Sequence, residues 1–287
     1  MKGILLCTDG SAFCRSSYDY AAWVANRLQG RIGVLYVTDA RKKAAAEARN
    51  FSGSLSAGAS QSLLDRLVAL EEEKAKLDRE RALLILQDAK EVLHGHGISK
   101  VETIHETGFL VDLLEKLEAK ADLIILGKRG ETSEFASAHL GSNVERIIRA
   151  SYKPCLVTPE KFAPIERILL AYDGSPSCQK MLQFIIDFPL FEGLNLSIAT
   201  VGKNAEDESA IAHLEEAKER VTAAGFEPIC VLLEGHPEEA ISDYVKAEDI
   251  HLLMMGAYGH KRIRHLVIGS TTTQILRRCD RPVLLFR

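Results

Sequence analysis

The chain repeats itself, and that limits it to two units of one architecture. Residues 168–175 read Ile-Leu-Leu-Ala-Tyr-Asp-Gly-Ser and restate Ile-Leu-Leu-Cys-Thr-Asp-Gly-Ser at residues 4–11, offset by 164 positions. Cys14 and Cys178 keep the register. Each copy places Asp-Gly-Ser, a turn sequence, at the end of an apolar run. Each later carries a second apolar run that closes on a glycine pair, Gly127-Lys128-Arg129-Gly130 and Gly256-Ala257-Tyr258-Gly259. Gly141-Ser142-Asn143 and Gly269-Ser270-Thr271-Thr272 follow. A period this long marks a duplicated domain rather than a solenoid repeat. The 287 residues suffice for two domains. Their expected bounds are 1–159 and 165–287, with Lys161 and two prolines in the linker.

Within the first copy, residues 2–7 and 32–37 are short apolar or β-branched runs. Between them residues 13–28 have helical spacing, with Tyr20, Trp23, Val24 and Leu28 on one face and Gly30 as the stop. Strand, helix, strand implies a βαβ unit and a parallel sheet. Strands at 101–105, 123–126 and 154–158 and helices at 110–119 and 141–150 complete the copy. The second copy repeats strands at 194–201, 227–233, 252–255 and 283–286, with helices at 207–223, 237–246 and after Gly269. From Asp9 to Gly127 is 118 positions, against 83 from Asp173 to Gly256, so the first copy carries 35 more. The excess holds a small-residue stretch at 39–62, with a short helix expected around 41–49, and a long helix over 63–93. Leu63, Leu70, Leu77 and Leu84 fall seven apart on it, while Lys74, Arg81 and Asp88 leave a coiled-coil seam incomplete. That helix either packs on its own sheet or contacts a second protomer. His94-Gly95-His96-Gly97 then reads as a helix stop rather than a metal site, since no third ligand is near.

The net charge of -4 argues against a nucleic-acid partner. No apolar run approaches the roughly 20 residues of a membrane span. The six cysteines form no CxxC pair, and several lie in apolar runs, which suits free thiols in a reducing cytoplasm.

In a doubly wound parallel sheet, ligands bind beyond the carboxyl ends of the strands, at the switch point. Asp173 and the Gly256–Thr272 stretch would converge there. A carboxylate accepts from an exocyclic amine or a ribose hydroxyl. Glycine backbone and a helix start suit phosphate. An adenine nucleotide meets both demands. Two plainer readings stand beside this one: Asp-Gly-Ser as a helix-capping turn, and the glycines as turns alone. No Walker A loop is present, because Gly-Lys-Ser/Thr is absent.

Strand-Asp-Gly-Ser, the βαβ order, and Gly-x2-Gly-x9-Gly-Ser before a last Pro-Val strand resemble the universal stress protein (UspA-like) family, twice over and across nearly the whole chain. The resemblance implies an α/β fold of two tandem doubly wound, five-stranded parallel-sheet domains of the adenine nucleotide alpha hydrolase-like kind. It implies a cytoplasmic role in stress survival, with ATP bound in one branch of the family and not in another, and Mg2+ as an optional companion ion. Carried over, Asp173 would contact adenine and Val201 would offer it backbone groups. Gly256, Gly259, Gly269, Ser270, Thr271 and Thr272 would hold ribose and phosphates. Asp9, Val37, Gly127, Gly130, Gly141 and Ser142 are the counterparts in the first copy. That copy departs from the pattern: ten residues separate Gly130 from Gly141 where nine separate Gly259 from Gly269, and Asn143 replaces Thr271. Glu131 and Glu134 stand in its loop, against His260, Lys261, Arg262, Arg264 and His265 in the second. The second half is therefore the expected ATP site.

No nucleophile paired with a base is evident, so at most weak ATPase activity is expected, and the chain reads as a sensor or regulator. The alternative is a nucleotide-free scaffold acting through protein contacts, as a homodimer or with an unknown regulatory protein. A related adenylating enzyme is disfavoured by the lack of Ser-Gly-Gly-x-Asp-Ser and His-x-Gly-His signatures. Gly259→Asp is expected to abolish stabilisation by ATP, and Gly130→Asp to change it little.

Overall fold

The computed structural model describes residues 3–39, 57–130, 140–257 and 269–287. The helix expected around 41–49, Glu131, Glu134, Gly259 and the basic loop at 260–265 lie outside the described residues.

The first half runs β1 (Gly3–Thr8), α1 (Arg15–Leu28), β2 (Arg31–Asp39), α2 (Ala57–Gly95), β3 (Val101–Gly108), α3 (Leu110–Leu117), β4 (Leu123–Gly127), α4 (Ser142–Ala150) and β5 (Cys155–Thr158). The second runs β6 (Arg167–Ala171), α5 (Pro176–Asp187), β7 (Asn195–Gly202), α6 (Glu208–Ala223), β8 (Ile229–Glu234), α7 (Pro237–Ala247), β9 (Leu252–Gly256), α8 (Ser270–Arg278) and β10 (Val283–Phe286). The helix at 176–187 is not among those expected above, although Cys178, Met181, Leu182 and Ile185 fall at helical spacing and are buried. There Ser175 caps α5 by accepting from Cys178 N at 3.4 Å, and Pro176 occupies the first turn.

Each half is parallel throughout, as expected, but the two sheets are not separate. They form one ten-stranded sheet in the order β3-β2-β1-β4-β5-β10-β9-β6-β7-β8. β5 and β10 meet antiparallel, Leu156 opposite Leu284. Both strands are four residues long and buried along their whole length. Left as edges they would expose apolar backbone for stray pairing, and joining the halves removes both edges.

The pleat divides the core. Ile4, Leu6, Ile168 and Leu170 face one side with α1, α2, α5 and α6. Leu5, Cys7, Leu169 and Ala171 face the other with α4, α7 and α8. Continuous apolar strands are what a sheet covered on both faces requires. α1 ends at Gln29, not Gly30: Gln29 takes the left-handed conformation at φ 51 and donates to Ala25 O. Along α2 the packed positions are Ala82, Leu86, Ala89 and Leu93, spaced four, three and four, whereas Leu70, Leu77 and Leu84 are exposed. His94 Nδ1 donates to Ile98 O (2.8 Å), His96 Nε2 meets Asp19 Oδ1 (2.8 Å), and Gly97 turns at φ +82, so this segment is a helix stop.

All six cysteines are free, and five are buried. Among the described residues no cluster of three metal-ligating side chains occurs, and no helix is long and apolar enough to cross a membrane.

Candidate functional site

In the second half the strand order reverses between β6 and β9, which opens a crevice beyond their carboxyl ends. Asp173 follows β6 at that point. Its Oδ1 accepts from Ser175 N at 3.0 Å, a local turn that Gly174 permits by adopting φ +71. The helix cap is Ser175, not Asp173, so the carboxylate shapes the turn and leaves the capping to its neighbour.

Gly256 ends β9 against the same turn. A β-carbon there would lie 3.0 Å from Ser177 Cβ and 3.6 Å from Ser175 Oγ. Residues about 80 positions apart in sequence therefore meet, and any side chain at Gly256 would press on the first turn of α5. The backbone then folds back on itself: Ala257 N donates to Phe286 O (2.7 Å), and Gly269 N donates to Ala257 O (3.4 Å). Thr272 is 2% exposed, and its hydroxyl donates to Ala257 O at 3.2 Å. Its side chain ties α8 to the residue that follows β9, while Ser270 is exposed and Thr271 half-buried. Gly269 caps α8 with no side-chain bond, and the first turn carries no acid. The leading N–H groups of such a helix have no partner within it and carry the positive end of its dipole.

Val201 completes the crevice through its backbone. The β6–β7 ladder ends at Ala171 opposite Ala199, with Tyr172 N donating to Ala199 O at 2.9 Å. Backbone groups alternate sides along a strand. Val201, two residues on, therefore turns its N–H and C=O the same way as Ala199, past the end of β6 and toward Asp173.

The first half copies this layout with different contents. Val37 likewise faces β1, since Ile32 N donates to Lys100 O on the β3 side. Gly127 ends β4, Gly141 N donates to Lys128 O (3.2 Å), and Ser142 opens α4. Asp9 differs. Its Oδ1 accepts from Ser11 N (2.9 Å) and from Cys14 Sγ (3.1 Å). A β-carbon on Gly130 would lie 2.4 Å from Asp9 Oδ2, so the glycine loop closes onto this carboxylate. Burial, with the Asp9 charge adding to it, pushes the Cys14 thiol up to about 12. In the second half Cys178 Sγ donates to Ala171 O at 3.5 Å, and burial, with the Asp173 charge adding to it, raises this thiol in the same way. α4 also carries Glu145 in its first turn, where α8 has no acid.

Two features escape sequence reading. Lys128 points away from its own loop and across the junction, donating to Arg277 O (3.3 Å) and Cys279 O (3.0 Å) at the C-terminal end of α8. Arg287 does the reciprocal service for Arg149 O at the end of α4. His213 of α6 presses on the Asp-Gly-Ser turn, with Cδ2 and Nε2 2.5 Å from where a β-carbon on Gly174 would be. Ile85 occupies that place over Gly10 in the first half. Because α2 and α6 differ in length and composition, no spacing links the two positions.

A model of the "Universal stress protein family" matches residues 1–159 and again residues 164–287. Universal stress protein Slr1230 of Synechocystis sp. (strain ATCC 27184 / PCC 6803 / Kazusa) is 56% identical over 287 residues, which is 100% of each chain. The crystal structure of a universal stress protein from Archaeoglobus fulgidus DSM 4304 superposes with a TM-score of 0.69 over 99% of this chain and 96% of that one, at 23% identity. A universal stress protein solved in complex with cAMP covers 43% of this chain and 98% of its own, with 25% identity and a TM-score of 0.36. With the duplication, the parallel five-stranded halves and a match across both, the chain belongs to the universal stress protein family and carries its domain in tandem.

Proposed function

We propose that this chain binds an adenine nucleotide, ATP foremost, in its second half, and acts in the stress response as a cytoplasmic sensor or regulator rather than a dedicated enzyme. The domains are taken as 1–159 and 165–287. One observation supports the reading: Gly256, whose neighbour Ala257 is bonded to Thr272 of α8, packs against the turn after Asp173 at the end of β6, where the strand order reverses. Asp173 would accept from the exocyclic amine or a ribose hydroxyl. Val201 would offer one donor and one acceptor to the base edge. Gly256, Gly259 and Gly269 would let backbone approach ribose and phosphate, with Ser270 and Thr271 donating. Thr272 would hold the loop in place for them. Mg2+ would ride on the phosphates rather than on a protein cage.

Asp9, Val37, Gly127, Gly130, Gly141 and Ser142 repeat the layout. Gly130 against the Asp9 carboxylate and Glu145 in the first turn of α4 make that half the poorer anion site. Gly130→Asp is not the neutral control that its loop position suggests, because its β-carbon would strike Asp9 Oδ2.

The test is acid release of nucleotide from the purified protein with chromatography, followed by thermal shifts with ATP, ADP, AMP and cAMP. Asp173→Ala and Gly259→Asp should abolish the ATP shift, and Asp9→Ala should preserve it. If wild type carries no nucleotide and shows no shift, the nucleotide-free scaffold reading replaces this one.

A further inference from the structure

We propose that Lys128 is a strap that holds the glycine turn of the first half shut over Asp9, so that this half is closed to a nucleotide by its own chain. The inference rests on the nucleotide reading above. Gly127 ends β4 and Gly256 ends β9. The next residue is Lys128 in the first half and Ala257 in the second. Their backbones are held alike. Lys128 N donates to Thr158 O (2.8 Å) and Ala257 N to Phe286 O (2.7 Å), while Gly141 N donates to Lys128 O (3.2 Å) and Gly269 N to Ala257 O (3.4 Å). Their side chains differ. That of Lys128 crosses the seam and donates to Arg277 O (3.3 Å) and Cys279 O (3.0 Å), whereas a methyl group at 257 has nothing to donate.

Those carbonyls stand at the C-terminal end of α8, where a helix leaves acceptors without partners and carries the negative end of its dipole. An ammonium answers both. Burial pulls the Lys128 amine down from its ordinary value, and the Asp280 charge opposes it. Letting go of both carbonyls would leave a half-buried charge short of acceptors. Two residues on, Gly130 lies against Asp9. A β-carbon on Gly130 would be 2.4 Å from Asp9 Oδ2, which puts the α-carbon within about 4 Å of that oxygen. A sugar or base lodged between the two needs about 3.5 Å on each side, roughly 7 Å in all. The turn must therefore swing off Asp9 before a ligand enters, and the strap resists that swing.

Amide hydrogen exchange of the full chain reads the strap with no ligand present. Lys128→Met keeps the stem and loses the donors. It should speed exchange at Arg129 and Gly130 by about tenfold or more, whereas Lys128→Arg should hold the wild-type rate. Arg287→Met removes the reciprocal tie to Arg149 O and should leave those amides unchanged. ATP supplies the second arm. Asp173→Ala silences the second half, and adding Lys128→Met should restore a thermal shift with ATP that Asp173→Ala alone lacks. Adding Asp9→Ala to that pair should remove the shift again, which places the ligand in the first half. Unchanged exchange in Lys128→Met, or an equal rise in Arg287→Met, would overturn the strap. Faster exchange with no restored shift, in a chain whose wild type binds ATP, would overturn the closure to nucleotide. A wild type that binds no ATP removes the nucleotide reading instead, and the exchange arm alone then decides the strap.

Discussion

Gly174 shows how much one position decides. At φ +71 any side chain is strained, and the His213 ring fills the space a β-carbon would need. Gly174→Ala should cost about 2 kcal/mol or more, from left-handed strain together with overlap. His213→Ala in the same chain should recover the overlap and not the strain. Denaturant midpoints of the two single variants and the double variant separate the parts, and full recovery would mean the backbone is unstrained. The cysteines set a second residue-scale expectation. Burial pushes the thiols of Cys7, Cys14, Cys155 and Cys178 up to about 12, while in the unfolded chain thiols ionise near 8.5. The folded state then holds protons that the unfolded state has lost. Stability should be fully present below about pH 8.5 and fall as pH rises toward 12, by about 1.4 kcal/mol per pH unit for each such thiol. Denaturant unfolding between pH 8 and 10 measures the slope, and a flat profile would contradict burial of these groups.

At the scale of elements, α8 and the end of β9 work as one part, because Thr272 bonds the helix to Ala257 O. Thr272→Val keeps the shape and leaves that carbonyl short of a donor. It should cost about 1 kcal/mol of stability and weaken ATP binding several-fold, whereas Thr271→Val should spare stability. Calorimetric titration beside a melting curve distinguishes the two variants. The strands and most helices were legible in sequence because each buries a face at its own period, as Leu123 to Leu126 and Leu110, Leu113, Leu114 and Leu117 show. α2 was legible as a helix and misleading as a surface. Its conspicuous leucines point to water, and small alanines at positions 82 and 89 mark the packed face. Spacing names a stripe without saying what lies beneath it. α5 was equally legible, since Cys178, Met181, Leu182 and Ile185 recur at helical spacing behind the Ser175 cap and Pro176, yet it is missing from the expected helices. The candidate site was legible as two glycine motifs and two aspartates. That Gly130 closes on Asp9 was not, since a side chain's reach across the fold leaves no trace in spacing.

For the whole molecule the decisive fact is the β5–β10 seam, which no single copy could announce. Antiparallel pairing of two short buried strands makes one sheet of two domains. The core on the α1 side runs unbroken from Tyr20 and Val24 to Phe184, Phe191 and Phe286. Polar ties cross with it: Arg27 donates to Leu190 O (2.6 Å), Ala163 N to Tyr20 Oη (3.2 Å), and Lys128 and Arg287 cap helices in each other's halves. Phe162 of the connecting segment packs on Tyr20, with ring centroids 4.7 Å apart and the planes tilted by 60°. Neither half keeps a closed surface without the other, so the two should unfold together. Calorimetry should give one transition, with a van't Hoff enthalpy that accounts for the whole calorimetric heat. Leu284→Asp would set a charge in the buried seam opposite Leu156 and should lower that single transition by several degrees, roughly 3 kcal/mol in stability. Two transitions, with only the later half responding to Leu284→Asp, would show instead that the halves fold alone and merely touch. The same measurement bears on the ligand. If ATP in the second half raises one shared transition, then Asp173→Ala should remove that gain from both halves at once, which independent domains could not do.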